Sequence, residues 1–270
     1  DRIILPNDQT IQISAYDTPN FQGNGIVEPG MVKPSDVEQL RDEWGEDSAM
    51  FKASILGEFP EDMGDTIVVP LSVATAAVER DAPQGGDEPV ILGVDVARFG
   101  RDRSVVARRH GLRGEIVKTW QGANTMELAG WVGRYIEDDD PDVNAVVVDE
   151  TGVGSGVVDR LRELDLGDVN VIGFQGGSSP LTEPEPGKKR KFFNAVAEAW
   201  WLMREWFEVG SIKQNDSLTA QVSSRGYTIQ SDTSIRLQDK EDMLKSPDEA
   251  DAFAMTFAPM VERTGIGVYL

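Results

Sequence analysis

The sequence predicts an α/β domain preceded by a loop-rich segment. Residues 90–94 and 145–148 are short apolar runs rich in β-branched residues, with the length and composition of buried strands. Segments with helical periodicity alternate with such strands, at residues 125–135, 157–164 and 192–207. This alternation is typical of an α/β sheet. Residues 1 to about 85 instead concentrate proline, glycine and asparagine, so we expect a boundary in the polar linker at residues 81–88.

The composition excludes several classes of protein. The 270 residues contain no cysteine, which excludes disulfides and thiolate metal sites and fits a reducing compartment. The single histidine, His110, cannot build a histidine-based zinc site, so any metal would be a hard ion with oxygen ligands. A formal charge of −21 argues against binding nucleic acid by the overall field, so a polyanion must be met locally. No apolar run approaches a membrane span and no cleavable signal opens the chain, so we expect no membrane partner.

The first 86 residues predict short elements joined by turns. We expect a strand over residues 10–15, a helix from an N-cap at Ser35 to about Trp44, and a short helix over residues 48–56. A strand over residues 66–69 and a helix over residues 71–80 follow. These elements form an appendage that has no self-sufficient core.

From residue 87 onward, the pattern predicts a sheet with its helices. A hairpin joins residues 90–94 to residues 104–108 through a turn at Gly100, and residues 114–120 add a third strand. The glycine-rich turn at residues 151–156 indicates a close backbone approach. The remaining elements are a strand over 169–174, a loop over 175–187, a helix over 217–224 and a projecting hairpin formed by 227–230 and 235–238.

Four carboxylates stand at the ends of predicted core elements. Asp95 and Asp149 each end a buried strand, and the ends of neighbouring strands form a site at the edge of a sheet. Asp248 and Asp251 lie three residues apart at the start of the last helix, hence on one face. We expect Ser246 to cap this helix and Pro247 to be its first residue, with Glu249 completing a capping box.

Carboxylates without histidine or cysteine indicate metal-dependent hydrolysis. Close carboxylates repel one another unless cations lie between them. Two divalent ions about 4 Å apart remove this conflict, activate water and stabilise the leaving oxygen of a phosphodiester. No nucleophile–base pair suited to acyl transfer is found in the sequence.

Three motifs resemble those of a known family. The stretches GVDVARFGRDRSVV, VVVDETGVGSGVVD and SPDEADAFAM are similar to the acidic motifs in the nuclease domain of phage large terminases, the motors that package DNA into proheads. The DEADA cluster also resembles that of Holliday-junction resolvases, which share the ribonuclease H-like fold. FFNAVAEAWWLMREW fits the same pattern, so the resemblance covers nearly all of residues 89–260. ISAYDTPNF and GEFP resemble the stretch that joins the motor ATPase to the nuclease.

The resemblance implies a ribonuclease H-like mixed β-sheet with helices on both faces, plus a loop-rich N-terminal appendage. Residues 1–86 would be the end of the ATPase and a linker, and residues 87–270 the nuclease domain. The implied function is a metal-dependent endonuclease that cuts concatemeric viral double-stranded DNA during genome packaging. No GxxxxGK[ST] motif occurs in the sequence, so we expect a carboxy-terminal fragment that cuts DNA without translocating it.

The resemblance also implies site residues, cofactors and partners. Asp95 and Asp149 would bind two Mg²⁺ or Mn²⁺ ions, with Asp248 and Asp251 supplying the third position, and the choice between these two stays open. The implied partners are double-stranded DNA, the portal protein, the small terminase subunit and the ATPase domain of the same polypeptide. The implied location is the cytoplasm of the bacterial host.

Two basic groups are candidate DNA contacts. Arg98, Arg101 and Arg103 flank Asp95, and contacts to the DNA backbone suit an enzyme that cuts many sequences. The second group follows the proline-containing loop and is completed by a lysine beyond the hairpin: Lys188, Lys189, Arg190, Lys191 and Lys240.

The sequence also allows two other functions, one enzymatic and one not. An actin-like or sugar-kinase-like ATPase also begins with an acid-ended strand and a glycine turn, but it normally needs two duplicated domains and a longer chain. A non-catalytic docking module would use the acids as a negative surface for the portal or the small terminase. Loss of plasmid nicking in an Asp95→Asn variant that still folds would favour catalysis.

Overall fold

The structure is a computed structural model that describes residues 12–22, 28, 31–44, 46, 51–58, 67–83, 85–97, 103–122, 124–182, 191–243 and 245–258. The turn expected at Gly100 lies outside the described residues. Within them, no helix has the length and apolar character needed to cross a membrane.

The described part of the amino-terminal segment is helical. A 3-10 turn at Ala15–Asp17 is followed by α1 (Pro19–Gln22), α2 (Pro34–Trp44) and a π-helical segment at Lys52–Leu56. The strand predicted over residues 10–15 is therefore wrong where the structure describes it, because residues 12–14 are irregular and the 3-10 turn follows. A small apolar cluster joins these pieces, formed by Ala15, Val37, Phe51 and Ile55.

The start of α2 also differs from the prediction. Pro34 is the first helical residue, so Ser35 lies inside the helix and is not its N-cap. The carboxylate of Asp36 accepts a hydrogen bond from the Lys33 amide at 3.2 Å. A side chain inside the first turn thus satisfies a free amide at the helix start.

Residues 67–80 pack against the main domain. Ile67 forms an isolated bridge with Gly226, where the sequence predicts a strand over residues 66–69. The helix α3 (Leu71–Glu79) confirms the helix predicted at this position. Val68, Val69, Ala74 and Ala77 are buried in the same cluster as Trp206. The division between domains at residue 86 stays a prediction.

The described strands form one mixed sheet and one hairpin. The sheet contains β1 (Val90–Asp95), β2 (Arg103–His110), β3 (Arg113–Gln121), β4 (Val143–Asp149), β5 (Asn170–Phe174) and β6 (Ser211–Ile212). Its order is β5-β4-β1-β2-β3-β6. β1, β4 and β5 are parallel, whereas β2 is antiparallel to both β1 and β3. The short strand β6, parallel to β3, was not predicted from the sequence.

Helices cover both faces of the sheet, which confirms the predicted fold class. On one face, α4 (Thr125–Arg134) and α5 (Gly154–Glu163) pack on Leu92 and Val94. On the other face lie α6 (Ala195–Phe207), α7 (Asp216–Val222) and α8 (Asp248–Met255). Asn124 caps α4 by accepting a hydrogen bond from the Glu127 amide at 2.9 Å.

The carboxy-terminal hairpin is present, but its inner side does not project from the core. β7 (Tyr227–Ile229) pairs with β8 (Ile235–Leu237). Ile235 and Leu237 are buried in the cluster under α6, whereas Ile229 near the tip is 69% exposed. The prediction of a projecting hairpin is therefore right only for its tip, because alternate residues of β8 are apolar and face the core.

Candidate functional site

Strand alternation brings Asp95 and Asp149 to the same face of the sheet. Ile91 on β1 packs with Ala145 and Val147 on β4, beneath α6 and α8. Side chains at every second position share a face, so Asp95 and Asp149 also point to the α6 and α8 side. β1 and β4 are parallel neighbours, so both carboxylates lie at the same edge of the sheet.

Helix α8 approaches this edge because β1 contains a glycine. A Cβ atom on Gly93 would lie 1.9 Å from the Ala252 carbonyl oxygen, so any larger residue would push α8 away from the sheet. The second close approach, predicted from the glycine-rich turn, is found at Gly154. A Cβ there would lie 1.6 Å from the Asp149 carbonyl oxygen.

The start of α8 is held by a side chain from α7. Gln221 Oε1 accepts hydrogen bonds from the backbone amides of Glu249 at 2.7 Å and Ala250 at 3.2 Å. Pro247 is the N-cap and Asp248 the first helical residue, with no side-chain capping bond from the helix's own sequence. The predicted capping box of Ser246 and Glu249 is wrong, because Gln221 fills that role from a distant part of the chain.

Asp251 is buried among three partners. Its Oδ1 accepts hydrogen bonds from Trp200 Nε1 at 2.7 Å and from an Arg225 Nη at 2.9 Å. Its Oδ2 forms an ion pair with Lys240 Nζ at 2.6 Å. Burial opposes the charged form, but Arg225 and Lys240 hold the pKa of Asp251 below its usual value. Asp251 is therefore a fixed, ionised carboxylate.

Asp95 has the opposite electrostatic situation. It is 6% exposed, and burial together with the nearby acids raises its pKa well above the ordinary range, although Lys240 acts against this. The acids that raise the pKa are Asp251, Asp248 and Asp149. Nearby negative charges disfavour the ionised form of a buried carboxyl. A cation placed beside Asp95 would relieve this repulsion.

One cavity joins three of the four predicted carboxylates. Asp95, Asp149 and Asp251 line a space of about 280 Å³ together with Arg225 and Lys240. Asp149 Oδ1 accepts a hydrogen bond from the Thr151 amide at 2.9 Å, which orients its carboxylate at the strand end.

Asp248 does not line this cavity. Its Oδ2 accepts a hydrogen bond from the Arg103 amide at 3.0 Å, so the carboxylate turns towards the start of β2. Asp248 is 8% exposed and lies one helical turn from Asp251. The sequence left open whether Asp248 or Asp251 completes the site. In the structure Asp251 lines the cavity, whereas Asp248 faces the Arg103 amide.

The donor set suits a hard divalent ion, although it is not preformed. Carboxylate oxygens are the ligands that magnesium and manganese prefer. Across the described residues, no group of three or more acidic or histidine side chains is already arranged to hold a metal ion. The Lys240 ammonium, on a side chain that is 41% exposed, occupies the place beside Asp251. Partial burial opposes the charged form of Lys240, yet Asp251 and Asp95 raise its pKa.

The residues predicted to contact DNA lie in different surroundings, and some are outside the described part of the chain. Arg103 is described, and its backbone amide serves Asp248. Lys191 forms an ion pair with Glu205 at 3.5 Å. Lys240 reaches into the carboxylate cavity. The other predicted contacts lie outside the described residues: Arg98, Arg101, Lys188, Lys189 and Arg190.

Sequence reasoning missed the residues that position Asp251. Trp200 is buried, as its place on the apolar face of α6 predicts, but its indole N–H also serves the carboxylate. Arg225 follows α7 and has no sequence signal that links it to an acid 26 residues away. Gln221 is equally inconspicuous. A buried indole N–H usually has a hydrogen-bond acceptor, and this rule is the only sequence-level indication that Trp200 would contact a polar group.

Solved structures of phage nuclease domains share this fold. A lysine-to-alanine variant from the large terminase subunit of bacteriophage Sf6, solved with calcium, is 19% identical with a TM-score of 0.62. The nuclease domain of the same subunit, solved with manganese and β-thujaplicinol as a variant, is 18% identical with a TM-score of 0.61. Each comparison covers 71% of this chain and 98% of the other.

The likeness establishes the ribonuclease H-like fold found in terminase nuclease domains, and it confirms the resemblance read from the motifs at the level of fold. No family model matches the sequence, and no curated protein matches it. The chain is therefore an α/β protein with a terminase-nuclease fold and an acidic cavity at the carboxyl edge of its sheet.

Proposed function

We propose that this chain is a metal-dependent endonuclease that cuts double-stranded DNA. The observation that carries the proposal is the meeting of Asp95, Asp149 and Asp251, from two strands and a helix, on the wall of one cavity. The solved Sf6 nuclease-domain structures that contain manganese or calcium support the proposal. Mg²⁺ or Mn²⁺ is the expected ion, with two ions in the complete site.

Each carboxylate has a distinct part in this proposal. Divalent ions at such a site activate water and stabilise the leaving oxygen of a phosphodiester. Asp95 and Asp149 would hold the ions from the two strand ends. Asp251 would present its Oδ2 to them, because Trp200 and Arg225 already fix its Oδ1. For Asp251 Oδ2 to bind an ion, the Lys240 ammonium must leave it. The ammonium would then be free to contact a phosphate of the DNA at the mouth of the cavity.

The wider role follows the same resemblance. The expected substrate is concatemeric viral DNA, cut during genome packaging in the cytoplasm of the bacterial host. The proposed partners are the portal protein, the small terminase subunit and an ATPase domain of the same polypeptide. The proposed nuclease domain begins at residue 87 and the ATPase-derived linker ends at residue 86.

A plasmid-nicking assay tests the catalytic proposal. Wild-type protein should convert supercoiled plasmid to nicked and linear forms with Mn²⁺ or Mg²⁺, and chelator should stop the reaction. Asp95→Asn should lower the rate by at least about 100-fold, since even residues that only support a metal ligand contribute 10- to 100-fold. The matched control is Asp168→Asn, an exposed acid that precedes the amino end of β5, on the opposite edge of the sheet. It should cut like wild type.

The same assay decides between Asp248 and Asp251. Asp251→Asn should lose as much activity as Asp95→Asn, whereas Asp248→Asn should retain more, because its carboxylate faces the Arg103 amide. Equal nicking by wild type and Asp95→Asn would show that the activity belongs to a contaminant and would refute the proposal.

A further inference from the structure

A surface next to the cavity combines cations with aromatic rings. It lies on the outer side of α6 and on the β7–β8 hairpin, and we call it the arginine–aromatic surface. Its residues are Lys191, Phe193, Trp201, Arg204, Tyr227 and Arg236.

The cations of this surface are stacked on rings. The Arg204 guanidinium lies 4.8 Å from the Trp201 ring centroid, and the Arg236 guanidinium lies 4.9 Å from that of Phe193. The Lys191 ammonium lies 5.7 Å from the Trp201 ring. Stacking on a ring holds a guanidinium plane in place while its N–H edges stay free for hydrogen bonds. Arg236 is therefore a preorganised donor for an anion. Arg204 Nη1 is buried without a hydrogen-bond partner, so Arg204 would use its other N–H groups.

Two of the three cations of this surface have a carboxylate partner, and both pairs are exposed. Arg236 pairs with Asp239 at 2.8 Å and Lys191 with Glu205 at 3.5 Å, and all four side chains are more than 40% exposed. Exposed pairs of this kind contribute little and exchange readily. For Arg204, the described part of the chain contains no carboxylate at ion-pair distance. In a chain of charge −21, such a local group of cations is where a polyanion can be met.

The surface and the cavity share helix α6. Val196 and Ala199 of α6 line the cavity, and Trp200 on the same helix binds Asp251. Trp201 and Arg204 follow on the outer side of that helix. Beyond β8 and Arg236, the chain reaches Lys240, which forms the ion pair with Asp251. A duplex bound at the carboxylates would therefore lie near a helix that also carries Trp201 and Arg204.

The Trp201 ring does not offer a platform for bases. Trp201 is half-buried, covered by Arg204 and Lys191 and approached edge-on by Tyr227 at 5.3 Å between ring centroids. Contacts would therefore be made by the cations to phosphates, without reading of the base sequence. Phe193 is 49% exposed, but the Arg236 guanidinium lies over its ring at 4.9 Å. A single strand would need several exposed ring faces, so the surface fits a duplex better.

We propose that the arginine–aromatic surface binds the phosphate backbone of duplex DNA beside the cavity, with Arg204 and Arg236 as its main contacts. The inference rests on the proposed nuclease function, whose substrate it positions. It assigns a binding role to residues outside the carboxylate site.

Salt-dependent DNA binding tests this inference separately from cleavage. Fluorescence anisotropy with a labelled duplex oligonucleotide is measured over a series of salt concentrations, in chelator so that no cutting occurs. For Arg204→Gln/Arg236→Gln, the slope of log affinity against log salt should fall by about 1.8, because each phosphate that is no longer neutralised lowers it by about 0.9. Arg204→Lys/Arg236→Lys should keep most of the slope, because it keeps the charges.

The matched control is Arg160→Gln/Arg162→Gln on α5, which covers the opposite face of the sheet. It changes the net charge equally and should leave the slope unchanged. If the double variant of the surface does not melt cooperatively, Arg236→Gln alone, at a side chain that is 41% exposed, should lower the slope by about 0.9.

The outcomes separate this inference from the proposed function. An unchanged slope in the folded surface variants, or an equal fall in the α5 control, overturns the inference even if wild type nicks plasmid. A fall confined to the surface variants supports it, including in an Asp95→Asn background that binds DNA without cutting it. Absence of metal-dependent nicking by wild type would instead refute the proposed function.

Discussion

The two edges of the sheet differ in how their charged side chains are paired. At the carboxyl edge of β1 and β4, Asp95, Asp149 and Asp251 share a cavity with two cations. At the opposite edge, another cavity of about 520 Å³ has a mainly basic lining, and three of its cations each face one acid. The pairs are Arg108 with Asp140, Arg113 with Asp81 and Lys213 with Glu115.

This difference indicates which edge of the sheet carries the functional site. Paired charges need no further ion, and the two more exposed pairs, Arg113–Asp81 and Lys213–Glu115, add little stability. At the other edge, Arg225 and Lys240 both serve Asp251, which leaves Asp95 buried beside like charges. Buried groups kept in an unfavourable charge environment are typical of functional sites. The comparison therefore locates the chemistry at the carboxyl edge.

The largest expected effect comes from breaking the buried ion pair. Arg225→Met leaves Asp251 with one fewer cation at a position where both side chains are less than 10% exposed. Loss of one partner of a buried pair destabilises by about 3–5 kcal/mol. Chemical denaturation should show this loss. The matching change at the opposite edge, Arg113→Gln, removes an exposed pair with Asp81 and should lose about 1 kcal/mol or less.

Equal losses in these two variants would contradict the comparison, since they would mean that the edges do not differ in how charge is buried. A charge-conserving Arg225→Lys variant should recover part of the stability, because it restores a cation but not the guanidinium geometry.

The next effect concerns the packing of α8 on β1. Gly93→Ala would place a Cβ 1.9 Å from the Ala252 carbonyl oxygen, so α8 must shift and carry Asp251 with it. Overpacking of this kind destabilises by about 1–3 kcal/mol. We expect a lower Tm together with a loss of nicking activity beyond what the change in folded fraction explains.

The control glycine is Gly130, inside α4, where a Cβ would meet only the flexible end of Arg134 at 3.7 Å. Gly130→Ala should be stabilising by about 0.5–1 kcal/mol, through helix propensity. If Gly93→Ala were as well tolerated, the close approach of α8 would not be needed to form the site.

The smallest expected effect is a gain in stability. The pKa of Asp95 is raised in the folded protein by burial and by neighbouring acids, so stability falls as pH rises from the unfolded pKa through the folded one. Asp95→Asn removes this penalty. At pH 8 without divalent ions, it should raise Tm by a few degrees, about what 1 kcal/mol produces in a chain of this size.

The gain should shrink at pH 5, where wild-type Asp95 is closer to protonation. Added Mn²⁺ should raise the Tm of wild type and leave that of Asp95→Asn unchanged, because only a folded site that binds the ion is stabilised by it. A lower Tm for Asp95→Asn at pH 8 would show that Asp95 is a stabilising group and not a strained one.

Much of this edge could be predicted from the sequence, because alternation and strand ends depend on local pattern. The apolar runs before Asp95 and Asp149 predicted neighbouring strands with acids at one edge, and the structure shows them side by side and parallel. The glycines at residues 151–156 predicted a close approach, which occurs at Gly154.

The remaining features depend on tertiary contacts that local pattern does not encode. The start of α8 was predicted at Ser246, but Gln221 from another helix caps it. Arg225 and Trp200 are far from Asp251 in sequence, and only the fold brings them together. Lys240 was predicted to contact DNA, and its ion pair with Asp251 could not be foreseen from a lone lysine beyond a hairpin.

The most direct test of the central claim is a crystal structure of the protein soaked with Mn²⁺, with the metal located by anomalous scattering. The account predicts manganese in the cavity between Asp95 and Asp149, in contact with Asp251, and the Lys240 ammonium displaced from Asp251 Oδ2. Manganese bound only elsewhere, with the Lys240–Asp251 ion pair intact and the cavity free of metal at saturating concentration, would contradict it.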